Sequence, residues 1–541
     1  MALRATRTPG PKYQELGLWD DDSLPTLLAR AIRDNADDLA IVDRSVQLTY
    51  RDLGAEVDRL AAQLRSLGVA KGDVVLAQLP NWWEAVVLLQ AVVRLGAVIN
   101  PVVTIYREAE LAFIVDQASP TVVVVPDRFR GHDHVAMVGR VLDDRPTGAR
   151  PTVLVARPER PLPSWATALW ANRIRGPGAR RPDGAVEHSE MEQTCADDIA
   201  LLLYTSGTTA APKGVLHSHQ TLIYECRSIV ELFGLDGRAA IFMPSPLTHI
   251  TGFLYGMILP TLLGTSCVLM DVWEPEDAAR LIEEHRCTFS VAATPFLSGL
   301  TGVYERRGES SALAHFACGG ADVPPDLVRR ATSVLDADVV RIYGSSEMPT
   351  YSSGRPGDSL RTKAETDGYP IGTAAGRLAE ATAGVGELLV DGPELFLGYL
   401  DPALNADAFT DDGYFRTGDL ACFDDEGFVT IMGRVKDIII RKGEKISARE
   451  IEDLLYRHPD VAEVAVIAVP DPEFGERACA VVVPAPSAHP TLDELCRYLD
   501  TFRVARQKYP EVLELVNELP RNTAGKVQKF VLRERFVASR P

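Results

Sequence analysis

Residues Leu201 to His219 read LLLYTSGTTAAPKGVLHSH, an apolar run that breaks into Thr205, Ser206, Gly207, Thr208 and Thr209. Short hydroxyl donors and unhindered backbone N-H groups suit a polyphosphate, and Lys213 adds a compact positive charge. A P-loop is excluded by spacing, because it needs glycine directly before its lysine and Pro212 stands there. Pro212 stiffens the loop, so the stretch predicts a buried strand, Ile199 to Leu203, ending in a phosphate-holding loop.

Four further stretches carry chemistry. Arg341-Ile342-Tyr343-Gly344-Ser345-Ser346-Glu347 is an apolar run ending in a ring, a glycine, two hydroxyls and a carboxylate. A tyrosine face can stack on a purine, a glycine admits a ligand to the backbone, and a carboxylate beside phosphates can hold Mg²⁺. In Tyr414-Phe415-Arg416-Thr417-Gly418-Asp419-Leu420, Asp419 can accept from both hydroxyls of a ribose. Lys526 closes Leu519-Pro520-Arg521-Asn522-Thr523-Ala524-Gly525-Lys526. A lysine about 4 Å from a carboxylate is worth about 4 kcal/mol at an effective dielectric of about 20. The fourth, Pro246-Leu247-Thr248-His249-Ile250-Thr251-Gly252, holds a lone histidine, which by itself reads as structural. Each stretch alone would be a turn or a strand end.

In this order the stretches resemble the adenylate-forming superfamily of acyl-CoA synthetases, carrier-loading adenylation domains and firefly luciferase. Thr205 to Gly214 matches the family loop [ST]SG[ST]TGxPKG except for Ala210 in place of the last loop glycine. The resemblance runs from about residue 20 to about residue 535. It implies that Thr205, Ser206, Gly207, Thr208, Thr209 and Lys213 hold the ATP phosphates, and that the Gly319, Gly320, Ala321 turn lines the adenine and acyl sites. Tyr343, with Gly344, Ser345 and Ser346, would lie against adenine. Glu347 and Thr205 would bind Mg²⁺, Asp419 would take the ribose with Arg434 in support, and Lys526 would orient the attacking carboxylate. His249, Thr251, Gly252, Gly319, Gly344 and Met348 would bind the acyl group, with His249 near its carboxylate. The small domain would turn about Lys436 and bring Arg441, Lys442 and Gly443 to a pantetheine thiol.

The activity so implied is an acid-thiol ligase using ATP, Mg²⁺ and coenzyme A through an acyl-adenylate. Amino-acid-activating members carry an aspartate near His249, and this segment has none, so the acid lacks an amine. Asn100 to Val115 has the texture of bacterial ligases for aromatic and alicyclic acids. A medium- or longer-chain fatty acid is the alternative substrate, a carrier protein in trans the alternative acceptor, and a homodimer an assembly the resemblance leaves open. A non-catalytic nucleotide-binding protein is disfavoured by both motif lysines, Glu347 and Asp419.

The balance of 56 basic to 75 acidic residues, net charge -19, argues against binding nucleic acid or anionic membrane through bulk electrostatics. Eight dispersed cysteines without a CxxC pair read as the buried thiols of a reduced, cytoplasmic protein. His132 with His134, and His217 with His219, read as surface or loop histidines. No signal peptide is apparent, and Val86 to Val98 is too short to span a membrane and reads as a buried helix.

The elements that must position these residues alternate. Thr49 and Asp52 start a helix whose apolar positions Leu53, Val57, Leu60 and Leu64 recur at helical spacing. Strands near residues 74–79, 97–99 and 121–125 alternate with helices at 83–95 and 108–116, a βαβ pattern. Asp143 to Asp198, rich in Pro, Arg and Gly, reads as a surface excursion. The expected fold is α/β: a large multi-subdomain region, residues 1–435, and a small mobile α+β domain, residues 436–541, that ends in a basic tail.

Overall fold

Val122–Pro126 is five buried residues, four of them consecutive valines, and such a run suits only a strand covered on both faces. It sits inside a seven-stranded sheet whose neighbours run Lys213–Ser218, Ile199–Thr205, Val98–Pro101, Val74–Ala77, Val122–Pro126, Thr152–Ala156, Ala166–Ala168. All of its pairings are parallel except the first. The computed structural model describes residues 4–7, 12–44, 46–143, 150–169, 194–205, 212–320, 323–382, 384–441, 444–471, 475–502, 506–521 and 527–539.

Among these residues a nine-stranded sheet lies beside the first, with a parallel centre that includes Phe289–Ala292, His315–Gly319 and Asp338–Tyr343. The largest apolar core joins residues of both sheets, Val75 and Val122 of one with Ile41, Ile241 and Val340 of the other. Trp83–Arg94 runs through this core buried almost all round, which explains its apolar sequence without a membrane. The helix Tyr50–Ser66 begins with the expected capping box, the Thr49 side chain accepting from Asp52 N.

A four-stranded antiparallel sheet follows, Ala375–Thr382, Val385–Asp391, Phe415–Phe423 and Val429–Arg434. The chain then passes through the single turn Val435–Asp437 into a five-stranded sheet covered by the helices Ala448–Leu455 and Leu492–Asp500. Lys436 lies in that turn.

Three expectations need correction. Asp143 to Asp198 is not wholly an excursion, since Thr152–Ala156 pairs with Val122–Pro126 in the sheet; flanking Pro and Arg residues masked a five-residue apolar run. The basic tail is a helix, Lys529–Ser539, whose Leu532 and Phe536 join the core formed by Ile467 and Val481. His134, His217 and His219 are buried at 0 to 1 % exposure, not surface residues, because each ring finds a polar partner inside. Those partners are Gln78 for His134, Thr221 and the Ser346 carbonyl for His217, and the Leu24 N-H for His219. Five of the eight thiols are buried, whereas Cys195 is exposed.

Candidate active site

Ile199–Thr205 pairs antiparallel with Lys213–Ser218, with Thr205 opposite Lys213, so one ladder brings both ends of the hydroxyl loop together. Ser206, Gly207, Thr208, Thr209 and Ala210 lie outside the described residues. Thr205 and Lys213 line a cleft of about 760 Å³ together with Gly319, Gly320, Gly344, Ser345, Ser346, Glu347, His249 and Thr251. Stretches as far apart as Thr205 and Glu347 therefore face one space. Ala321 also lies outside the described residues.

Glu347 Oε1 accepts the Tyr399 hydroxyl at 2.8 Å, and Oε2 has no hydrogen-bond partner among the described residues. Carboxylate and hydroxyl oxygens of Glu347 and Thr205 in one cleft are the hard donors Mg²⁺ prefers, so the residues fit the ion. His217, through Nε2 to the Ser346 carbonyl at 2.8 Å, holds the backbone one residue before Glu347.

The strands Phe415–Phe423 and Val429–Arg434 pair with Asp419 opposite Arg434, and Arg434 Nε lies 3.0 Å from Asp419 Oδ1. Burial alone would lower the Arg434 pKa, but Asp419, Tyr343, Asp437 and Glu347 outweigh it and hold the guanidinium charged. The Tyr343 hydroxyl donates to Asp419 Oδ2 at 2.6 Å. Burial, then the Asp419 charge, raise the Tyr343 pKa and keep it a donor. These three line a second cavity of about 860 Å³ that shares Gly320, Gly344 and Arg434 with the first.

His249 precedes the short helix Ile250–Phe253 and is half-buried on the cleft wall. Burial lowers its pKa and favours the neutral imidazole. Two residues expected to bind the acyl group, Met348 and Gly252, are not among those lining the cleft. Met348 does not line the cleft but is buried with Val215, Tyr351 and Leu388. Gly252 is a glycine because a Cβ there would lie 2.1 Å from the Pro246 carbonyl oxygen. The cleft is lined instead by Phe296, Val291, Ile342, Tyr255 and Thr350. The Tyr255 hydroxyl donates to the buried Glu225 and so can only accept from Thr350, 2.6 Å away.

Asn522 to Lys526 lie outside the described residues, but Val527 and Gln528 line the same cleft as Glu347 and His249. Arg441 lines neither cavity, and its guanidinium pairs with Glu511 at 2.8 and 3.0 Å. Lys442 and Gly443 lie outside the described residues. Sequence reasoning missed Tyr399, Tyr255, Thr350 and Phe296, because an aromatic or threonine within an apolar run carries no sign of the cavity it borders.

Residues 28–400 match the AMP-binding enzyme family, and residues 450–526 match the AMP-binding enzyme C-terminal domain. The chain is 33% identical over 537 residues to the medium-chain fatty-acid-CoA ligase of Escherichia coli K12, covering 96% of this chain and 92% of that one. It is 34% identical over 539 residues to the salicylyl-CoA synthase/salicylate adenylyltransferase of a Streptomyces species, covering 97% and 95%. The ATP-bound crystal structure of MatB from Rhodopseudomonas palustris superposes with a TM-score of 0.79 at 28% identity, covering 95% of this chain and 99% of that one. With the hydroxyl-loop frame and the acidic strand end on one cleft and Asp419 on the adjoining cavity, this chain belongs to the AMP-binding enzyme family and is an adenylate-forming acid-thiol ligase.

Proposed function

We propose that this ATP- and CoA-dependent ligase activates an aromatic or alicyclic carboxylic acid. The observation that carries the reading is the mixed lining of the cleft beside His249. Phe296, Val291 and Ile342 supply apolar surface for a ring, while the hydroxyls of Tyr255 and Thr350 supply a polar boundary tied to Glu225. These buried hydroxyls are paired with one another and with Glu225, so they form a fixed wall that a compact ring packs against, whereas a long alkyl chain needs depth beyond it. The similarity to a salicylate enzyme agrees, and the similarity to a fatty-acid enzyme makes a medium-chain acid the second reading.

In the first half-reaction the carboxylate attacks the α-phosphate of ATP and pyrophosphate leaves. Lys213 and the loop from Thr205 to Thr209 hold the β- and γ-phosphates, and Asp419 with Arg434 and Tyr343 receives the ribose and base. Lys526 orients the carboxylate and offsets the charge that develops. Mg²⁺ held by Glu347 and Thr205 would supply further neutralisation of the phosphates. Val527 and Gln528 on the cleft wall support an arrangement suited to this step, as does Arg441 engaged with Glu511 away from it.

For the second half-reaction, residues 436–541 turn about Lys436 against residues 1–435. The change of sheet at Val435–Asp437 supports that pivot. Arg441, Lys442 and Gly443 then meet the thiol, which attacks the acyl carbon of the adenylate and displaces AMP, so no protein nucleophile is needed. Among the described residues no helix is long and apolar enough to cross a membrane, and a cytoplasmic setting is part of the proposal.

The test is pyrophosphate release and acyl-CoA formation across benzoates, naphthoates, cyclohexanecarboxylate and fatty acids from hexanoate to palmitate, each with and without CoA. A ring acid giving thioester at the lowest concentration supports the reading, and preference for an alkyl acid overturns it. Pyrophosphate without thioester would replace CoA by a carrier protein acting in trans.

A further inference from the structure

We propose that Tyr399, with the segment around it, is the positioning residue that sets Lys213 against Glu347 in the phosphate site. The inference rests on the nucleotide roles proposed above and adds what holds the two residues in register.

Both partners are engaged by one side chain. The Tyr399 hydroxyl donates to Glu347 Oε1 at 2.8 Å, and the Lys213 ammonium lies 4.8 Å from the centroid of the Tyr399 ring. A ring face attracts a cation and a phenol orients a carboxylate, so one rigid group with two rotatable torsions constrains both charges. Without it, Lys213 carries a flexible four-carbon stem and Glu347 a rotatable carboxylate, and each could leave the geometry that phosphate requires.

The backbone makes the same connection. Leu397 N donates to Leu216 O and Leu400 N to Gly214 O, so residues 397–400 run along the strand that starts at Lys213. Phe396 N donates to Glu347 O. The short segment is thus hydrogen-bonded to both elements it aligns. Its outer side is closed by the N-terminal residue Thr6, whose hydroxyl donates to the Tyr399 carbonyl at 2.8 Å. Asn405 accepts from the Tyr399 N-H and donates to Thr6. Gly398, at φ +91°, is needed for this closure, because a Cβ there would lie 2.3 Å from the Thr6 hydroxyl oxygen.

The experiment compares Tyr399→Phe, which keeps the ring, with Tyr399→Leu, which removes both interactions. Calorimetric binding of ATP, without any acid, is measured over a range of Mg²⁺ concentrations, alongside ATP-pyrophosphate exchange with the preferred acid. For Tyr399→Phe the Mg²⁺ needed for half-maximal ATP binding rises on the order of 10- to 100-fold, the scale of one charge-assisted hydrogen bond. ATP affinity at saturating Mg²⁺ changes less than about twofold, since the ring under Lys213 remains. Tyr399→Leu adds a rise in the ATP dissociation constant at saturating Mg²⁺ of roughly 3- to 10-fold. An unchanged Mg²⁺ dependence in Tyr399→Phe overturns the proposal, even if Tyr399→Leu fails to fold. Equal losses of stability and exchange in both variants with wild-type Mg²⁺ dependence also overturn it, leaving Tyr399 a packing residue. If the wild-type chain binds no ATP, it is the underlying nucleotide reading that fails.

Discussion

Arg434 Nε stands 3.0 Å from Oδ1 of Asp419, while the other oxygen of that carboxylate takes the Tyr343 hydroxyl. Asp419 is 6% exposed, so its charge is held away from solvent by a cation and a phenol that also border the cavity. Asp419→Asn keeps the shape and removes the charge. It should lower kcat/KM for ATP on the order of 10- to 100-fold, matching roughly 1.5–3 kcal/mol for a charged hydrogen bond. Arg434→Lys, which loses the planar donor, should lie between wild type and Asp419→Asn, and wild-type kinetics in both variants would remove the pair from the nucleotide site.

Lys526→Ala should reduce adenylation on the order of 10²- to 10³-fold, the scale of a preorganised electrostatic contact, while thioester formation from supplied acyl-adenylate is spared. Pyrophosphate exchange and single-turnover thioester formation read the two halves separately. Equal loss in both would contradict a rotation of the small domain about Lys436.

The placement of Met348 in a core beside Tyr351 and Leu388, and of Phe296 on the cleft wall, separates two substitutions. Met348→Leu should change acid preference less than about twofold and cost under about 1.5 kcal/mol, as volume-conserving core exchanges do. Phe296→Ala should shift preference toward bulkier acids by about 10-fold or more, the scale of lost apolar contact in a specificity pocket. The acid panel run on both variants gives the answer, and the reverse pattern would return Met348 to the acyl site.

Glu225 is fully buried, and burial, opposed by hydrogen bonds from Tyr255 and Thr350, raises its pKa from 4.5 to about 7. Burial, and then the charge of Glu225, raise the pKa of Glu394, which is also fully buried. Between about pH 4.5 and about pH 7 the unfolded chain releases this proton and the folded chain keeps it, so stability falls as pH rises through that window. Glu225→Gln should flatten the slope and gain on the order of 2–3 kcal/mol over wild type above pH ~7. Denaturant unfolding at several pH values measures it, and parallel curves for the two proteins would show that Glu225 ionises normally.

Local order in the chain carried much of this protein. The apolar run at Ile199, the valines at 122–125, the capping box at Thr49 and the order of the motifs from Thr205 to Lys526 are properties of neighbouring residues. Backbone periodicity and turn chemistry act over a few positions, so they are legible in one dimension, and they sufficed for the α/β class and for naming residues such as Thr205, Glu347 and His249 that the fold brings to one cleft. Tertiary packing decided the rest. Whether Met348 meets substrate or core depends on which way one side chain turns where a strand ends, and neighbouring residues do not specify that. His217 looked like a surface residue because its partner, the Ser346 carbonyl, comes from the bend after a strand of a different sheet. The bond between Tyr399 and Glu347, and the ring beneath Lys213, exist only because distant backbone segments pair, and pairing across space leaves no local spacing to read.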